Sequence, residues 1–218
     1  MGNKKLSSLV LLSLSSALVL AACGGEGSTA DSSESAGANG SDQVLNLIEN
    51  AEIPTMDSVQ ATDTVAFTAL SNVNEGLYRQ GLDGTVELGI AAEDPTVSED
   101  GLVYTFTIRD EANWSNGEPV TAEDFVYSWR KLVDPASAAS YSYMMDGVIA
   151  NATEIMAGEV GPEELGVKAI DEKTLEITLT SPVPYFKDLL TLAMFFPQNQ
   201  AFVEEQGDQY ALSSDALL

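Results

Sequence analysis

The sequence predicts an α+β fold for residues 43–218, in which strands and helices follow no repeated order. Residues 102–109 alternate apolar and polar side chains, as do residues 174–181, and this period of two predicts two strands with one buried face each. Between them, residues 121–134 place apolar side chains at helical spacing. A doubly wound sheet would show a regular strand–helix–strand rhythm, and because the chain lacks one, α+β is favoured.

Three further elements are predicted ahead of this block. Residues 44–50 form an apolar run with the length of a buried strand. Residues 64–75 carry small and apolar side chains four positions apart, which predicts a helix with Thr62 or Thr64 as its N-cap. Asp83-Gly84 separates two short strand-like runs, which indicates a β-hairpin.

The helix predicted at residues 121–134 has recognisable ends. Thr121 followed by Asp124 approximates a capping box, and Asp134-Pro135 ends the helix. Because the helical period accounts for its large apolar side chains, we interpret them as core residues and not as a binding site; they are Phe125, Trp129, Leu132 and Val133. Residues 186–193 also have an apolar face and predict a second buried helix, since Lys187 and Asp188 disfavour a membrane span.

The composition excludes several classes of function. The chain has 34 acidic against 9 basic residues and a net charge of −25, so a phosphate backbone would be repelled and no nucleic-acid partner is expected. Because there is no histidine, His-based catalytic triads and His-bearing zinc sites are excluded. Glycine-rich phosphate-binding motifs and EF-hand spacing are absent as well. We therefore expect no enzyme activity, no cofactor and no metal.

The amino-terminal end has the pattern of an export signal, which we assign to residues 1–22. Lys4 and Lys5 precede an apolar, Ser-rich run that is too short for a membrane span. The run ends in Leu20-Ala21-Ala22-Cys23, which resembles the lipobox of bacterial lipoproteins. That resemblance implies that Cys23 receives a lipid and anchors the chain to the outer face of the cell membrane, at a Gram-positive cell surface. The alternative is an incidental cysteine at a cleavage site.

Residues 23–42 follow as a tether. They carry no large apolar side chain and four acidic residues without a basic one, so they cannot bury enough surface to offset the entropy of ordering. We expect a disordered Gly/Ser/acidic segment with a reach of roughly 25 Å between the lipidated Cys23 and the domain that begins at residue 43.

Four motifs resemble one protein family in the same order along the chain. The principal motif is DGLVYTFTIRDEANWSNGEPVTAEDFVYSWRKLVDP, and the others are NEGLYRQGLDG, LGVKAIDEKTLEITLTSPVPYFKDLL and FFPQNQAFVEEQGDQYA. Together they resemble the family 5 solute-binding proteins of ABC importers, in the oligopeptide-binding branch. The resemblance implies that the chain captures short peptides for an ABC permease and ATPase. Its nickel-binding branch is disfavoured, because a site without histidine lacks the favoured imidazole ligand.

The resemblance also implies a two-lobe periplasmic-binding-protein fold of type II. Family members are more than twice as long, so residues 43–218 are expected to be an amino-terminal fragment: part of lobe I with its extra subdomain, without the second lobe. We expect this fragment alone to bind peptide weakly or not at all, since lobe closure sequesters the ligand. We also expect the apolar segment 189–196 to be poorly covered and the fragment to be marginally stable.

Two peptide-contacting positions follow from the resemblance. The segment Thr62-Asp63-Thr64 aligns with a stretch that binds the peptide main chain in the manner of an added strand. Tyr141 aligns with a tyrosine that reaches the peptide, and an aromatic ring with a hydroxyl suits a hydrated cleft. Two alternative functions stay open: a peptide-pheromone receptor of the same branch, and a surface lipoprotein with an interaction or chaperone role.

Overall fold

The computed structural model describes residues 48–218. The predicted export signal, Cys23 and the tether lie outside the described residues, as do positions 44–47 of the strand predicted at residues 44–50. The remainder of that prediction is wrong, because residues 48–50 form no strand and Ile48 is 98% exposed. Over residues 48–218, none of the helices combines the length and the apolar character needed to cross a bilayer.

Helices and strands are interspersed along the described chain, as the α+β prediction requires. The helices are α1 (Thr64–Val73), α2 (Ala122–Val133), α3 (Ala152–Met156), α4 (Phe186–Leu189) and α5 (Gln200–Gln206). The strands are β1 (Tyr78–Gln80), β2 (Val86–Leu88), β3 (Thr96–Val97), β4 (Val103–Thr107), β5 (Val167–Asp171) and β6 (Thr174–Thr178). Short 3-10 turns connect several of them, including Ser142–Met145 and Ala193–Phe195.

The main sheet has four antiparallel strands in the order β3-β4-β6-β5. Phe106 of β4 lies opposite Leu175 of β6, and both are fully buried, so the apolar positions of the two predicted strands form one core face. The strands predicted from the period of two are thereby confirmed. The predicted hairpin is confirmed too: β1 pairs with β2, and Gly84 in the turn has a φ of +81°, a conformation that favours glycine.

Helix α2 packs against the sheet through its apolar face, principally on β5. All four residues interpreted as core are buried, and Trp129 and Phe125 are 0% exposed. At the amino end of α2, the Asp124 carboxylate accepts hydrogen bonds from the Thr121 N–H at 2.8 Å and from the Trp114 indole at 3.2 Å. Burial raises the pKa of this carboxyl group, and the hydrogen bonds oppose that rise.

Helix α1 is confirmed, but its predicted cap is wrong. The N-cap is Asp63, whose carboxylate accepts a hydrogen bond from the Ala66 N–H at 2.9 Å, and not Thr62 or Thr64. All three side chains have an oxygen that can cap a helix, so local sequence does not determine which one is used. Beyond the helix, Gly76 lies so close to the Phe196 ring that a Cβ at this position would come within 2.8 Å of it.

The prediction of a helix at residues 186–193 is wrong for the second half of that segment. Only Phe186–Leu189 is helical, and Leu192 is extended, with φ −81° and ψ 141°. This break brings the next residues against α2, where the Phe195 carbonyl accepts a hydrogen bond from the Trp129 indole and the Phe196 carbonyl accepts one from the Ser128 hydroxyl. The expectation of poorly covered apolar surface at 189–196 is also wrong, since residues 193–196 are buried.

Candidate functional site

An open cleft of about 870 Å³ lies where four segments of the chain meet. Its lining comes from α1 and the two residues after it, from β1, from residues 141–144 and from residues 191–196. The lining residues are Phe67, Ser71, Asn72, Val73, Asn74, Glu75, Arg79, Gln80, Tyr141, Tyr143, Met144, Thr191, Leu192, Ala193, Met194 and Phe196. The volume falls in the range of small-molecule and peptide-sized sites, about 300–1,000 Å³.

Large apolar side chains form what we call the apolar wall of the cleft. Tyr141 is at its centre: its ring meets the edge of Phe67 with centroids 5.6 Å apart and lies 5.9 Å from the ring of Tyr143. Met145, fully buried in the core, fixes the turn that presents these residues. The apolar wall consists of Phe67, Tyr141, Tyr143, Met144, Met194 and Phe196.

The other part of the lining is a polar rim formed by Asn72, Asn74, Glu75, Arg79 and Gln80. Its two charged residues pair with each other, with 3.4 Å between the Glu75 carboxylate and the Arg79 guanidinium. The same carboxylate also binds Arg109 at 2.6 Å, and Arg79 also binds Glu87 at 3.1 Å. These ion pairs are largely exposed, so each contributes about 0–1 kcal/mol to stability, and the rim remains a hydrated, polar surface.

The structure places Tyr141 in the cleft, as a half-buried residue whose ring packs against the core. Thr62, Asp63 and Thr64 are not among the lining residues. Thr62 and Thr64 are exposed, and the Asp63 carboxylate caps α1, which begins one turn before Phe67. The structure therefore brings Tyr141 together with Phe67, Tyr143 and the two methionines, and leaves the threonine pair outside this group.

Sequence reasoning missed most of the apolar wall. The run Tyr141-Ser142-Tyr143-Met144 carries a signal, because exposed aromatic residues beside methionine are typical of adaptable binding surfaces. Phe67 and Met194 give no such signal, since each occurs in a segment whose local sequence pattern already predicts packing in the core. Only the tertiary fold brings these distant segments together.

A buried polar network holds the segment that leads into α1. The Lys131 ammonium lies 2.9 Å from the Asp57 carboxylate and 3.0 Å from the Gln198 side-chain oxygen. The Gln198 amide donates back to Asp57 at 2.7 Å and to the Ser58 hydroxyl at 2.9 Å. The Lys131 ammonium also lies 5.1 Å from the centroid of the Tyr210 ring, and burial together with the Asp57 charge raises the pKa of that tyrosine.

Acidic groups of the described chain are not arranged for metal binding, because residues 48–218 contain no cluster of three or more metal-ligating side chains. The buried carboxyl of Asp124 is occupied by its hydrogen bonds at the start of α2 and lies outside the lining of the cleft. The lining of the cleft offers an apolar surface, the hydroxyl groups of Tyr141 and Tyr143, and a polar rim.

Residues 85–216 match the family of bacterial extracellular solute-binding proteins, family 5 Middle. The chain belongs to this family. Among curated solute-binding relatives, it is 36% identical to the oligopeptide-binding protein OppA of Bacillus subtilis over 95% of the chain. A solved structure of Listeria monocytogenes OppA bound to peptide is 50% identical, with a TM-score of 0.77 over 79% of the chain. A solved structure of the pheromone receptor PrgZ is 42% identical, with a TM-score of 0.73 over 76% of the chain.

Membership of solute-binding family 5 confirms the fold that the motifs implied, a part of a type II periplasmic-binding-protein fold. The chain spans 39% of the length of the Bacillus subtilis relative and 34% of the Listeria chain, so it corresponds to about a third of these proteins. Relatives in this family are extracytoplasmic solute-binding proteins and not enzymes.

Proposed function

We propose that this chain captures short peptides outside the membrane, as the substrate-binding lipoprotein of an oligopeptide ABC importer. The observation that carries the proposal is the cleft: an open, aromatic-lined cavity with Tyr141 in its wall, in a chain that belongs to a solute-binding family. Aromatic residues provide large contact area, and the hydroxyl of Tyr141 provides a hydrogen-bonding group for the peptide main chain. An ABC permease and its ATPase would receive the peptide.

Main-chain recognition supports a role in general peptide uptake. A peptide that lies extended along Tyr141 offers an N–H and a C=O at every residue, and pairing of these groups does not depend on side-chain identity. Thr62, Asp63 and Thr64 remain proposed contacts of the peptide main chain. In that role the backbone groups would bind the peptide, while the Asp63 carboxylate continues to cap α1.

A second candidate function is capture of a peptide pheromone. It is supported by the likeness to the pheromone receptor PrgZ, which is 42% identical over 76% of the chain. The two functions use the same cleft and differ in selectivity, because nutrient uptake requires broad peptide tolerance and pheromone detection requires preference for one sequence. Binding of many unrelated peptide sequences favours uptake, and a marked preference for one sequence over all others favours pheromone capture.

Substitution of Tyr141 tests the proposed cleft. The chain has six methionines, of which Met144 and Met194 line the cleft and Met156 does not. NMR of methyl-labelled methionine therefore detects peptide binding and shows whether the peptide binds in the cleft. With a pool of short peptides we expect the Met144 and Met194 signals to shift and the Met156 signal to stay. Tyr141→Phe should weaken binding about fivefold through the lost hydrogen bond, and Tyr141→Ala should weaken it further.

Tyr185 provides the matched control for this series, because it is 56% exposed and lies outside the cleft. Tyr185→Phe should leave the titration unchanged. The proposal is rejected if a saturating peptide pool shifts none of the cleft methyl groups in a chain extended to the full length of its relatives, or if Tyr141→Ala has no effect on binding in that extended chain.

The lipid anchor is proposed at Cys23, where it would hold the tethered domain on the extracytoplasmic face of the cell membrane. Acyl chains contribute about 0.8 kcal/mol per buried CH₂, and more than one chain is needed for stable anchoring. We expect Cys23→Ala to abolish incorporation of labelled fatty acid, and Ser28→Ala, in the adjoining segment, to leave it unchanged. Equal labelling of the Cys23→Ala chain would contradict the lipoprotein assignment.

A further inference from the structure

We propose that the cleft selects its peptides by a large apolar side chain, which packs on the apolar wall, and that it disfavours a charged side chain at that position. The proposal rests on the proposed function, since it names the class of peptide that the same cleft prefers. The occupant is a leucine, methionine or phenylalanine side chain of an extended peptide.

Unburied apolar surface faces the cleft. Tyr143 is 58% exposed, and Phe67, Tyr141 and Met144 are only partly buried although they pack against the core. A set of large apolar side chains that line a cavity and remain partly in water gains free energy when another apolar group covers it. A peptide side chain is the group that the proposed function brings into this cavity.

The charged part of the lining lies beyond the carboxyl end of α1. The charged lining residues are Glu75 and Arg79, which pair with each other, and they follow the carboxyl end of α1. Phe67 precedes Val73, the last residue of this helix, by six residues, which is about 9 Å along the helix axis. The two charged lining residues already pair with each other, so a charged peptide side chain on the apolar wall would lose hydration and would have to compete with existing ion pairs for a partner.

Two methionines in the apolar wall determine how many kinds of apolar side chain the cleft accepts. Met144 and Met194 are unbranched and flexible, so they can adjust to apolar groups of different shape. We therefore infer selectivity for apolar character and size without discrimination between leucine, methionine and phenylalanine. A wall built of β-branched residues would instead favour one shape.

Long-range electrostatics act in the opposite direction and must be separated from the effect of the wall. The net charge of −25 attracts peptides that contain lysine at any position, and added salt screens this attraction over distances beyond a few ångströms. Affinities compared at high salt therefore report contacts inside the cleft. A preference for leucine over lysine that grows with salt is the expected signature.

The experiment is a titration of the full chain with tripeptides Ala-X-Ala at high salt, followed through the Met144 and Met194 methyl signals. With X as leucine or phenylalanine we expect about tenfold tighter binding than with alanine, from burial of the additional CH₂ groups. Lysine or aspartate at X should bind no tighter than alanine. Equal affinities across the series, with the methyl signals shifting, would overturn the selectivity and leave the proposed function intact. If no tripeptide shifts either signal, also in a chain extended to the full length of its relatives, the proposed function fails as well.

A specificity switch provides the second measurement. Tyr143→Lys adds a cation to the apolar wall at an exposed position, so folding is not at risk. It should remove the preference for leucine and make aspartate the best residue at X. Tyr185→Lys, at a tyrosine of nearly equal exposure outside the cleft, should keep the original ranking. The proposal is overturned if both variants rank the peptides alike.

Discussion

Replacing Trp129 by alanine is expected to lower the free energy of unfolding by about 3–5 kcal/mol. The indole is 0% exposed and packs edge-on against Phe125 and Phe195, with centroids 6.2 and 5.5 Å away. Alanine leaves a large cavity in this cluster and removes the hydrogen bond that the Phe195 carbonyl receives from the side chain at position 129. Denaturant unfolding of residues 43–218, followed by circular dichroism, measures the loss.

Trp129→Phe separates packing from hydrogen bonding. It keeps an aromatic ring in the cluster but has no N–H for the Phe195 carbonyl, so we expect a smaller loss of about 1–3 kcal/mol. Trp114→Phe is the control substitution, at the chain's other tryptophan, which is only partly buried. If Trp129→Ala costs no more than Trp114→Phe, position 129 does not organise the core as described.

Replacing Lys131 by methionine is expected to cost about 3 kcal/mol of stability. Methionine preserves most of the apolar stem but removes the charge that compensates the Asp57 carboxylate, whose side chain is 10% exposed. A carboxylate left buried without its partner carries its desolvation cost uncompensated. We place the loss at the lower end of the known range because the Lys131 side chain keeps 19% exposure. Denaturant unfolding gives the measured value.

The matched control is Lys168→Met, at an exposed lysine on β5, which should change stability by no more than about 0.5 kcal/mol. Asp57→Asn combined with Lys131→Met removes both charges and should recover part of the loss, which gives a favourable coupling energy between the two positions. Losses that simply add in the double variant would show that the two side chains do not act as a pair.

The local sequence pattern was sufficient to predict those strands and helices that have a continuous apolar face of their own. Strands β4 and β6 follow from their period of two, because one face of each is buried by the sheet itself. Helix α2 follows from its apolar face and from the Thr121–Asp124 cap. Each of these patterns lies within a short stretch of the chain, so the element can be predicted without knowing its tertiary contacts.

The segment around Leu192 could not be predicted in this way. Its apolar residues fit a helix, but the carbonyls of Phe195 and Phe196 bind side chains of α2 instead of helix N–H groups. Those donors are more than sixty residues away along the chain. A tertiary contact therefore overrides the local preference for a helix, as happens wherever packing decides the conformation of a short segment.

The residues of the candidate site also differ in whether they could be predicted from the sequence. Tyr141 was predicted by resemblance to a family motif, and the structure places it in the cleft. Phe67, Met144 and Met194 were not predicted, because the cleft exists only where their three segments meet. The N-cap of α1 shows a subtler case: Thr62, Asp63 and Thr64 are equally capable of capping, and the backbone geometry selects Asp63.

The contacts of the Asp57 segment join residues that are far apart along the described chain. Asp57 bonds to Gln198, 141 positions later, and the Met56 N–H donates to the Ala211 carbonyl. Because loop closure over such separations slows folding, we expect these contacts to form late in folding. Until they form, the segment that leads into α1 lacks the contacts that hold it in the folded domain.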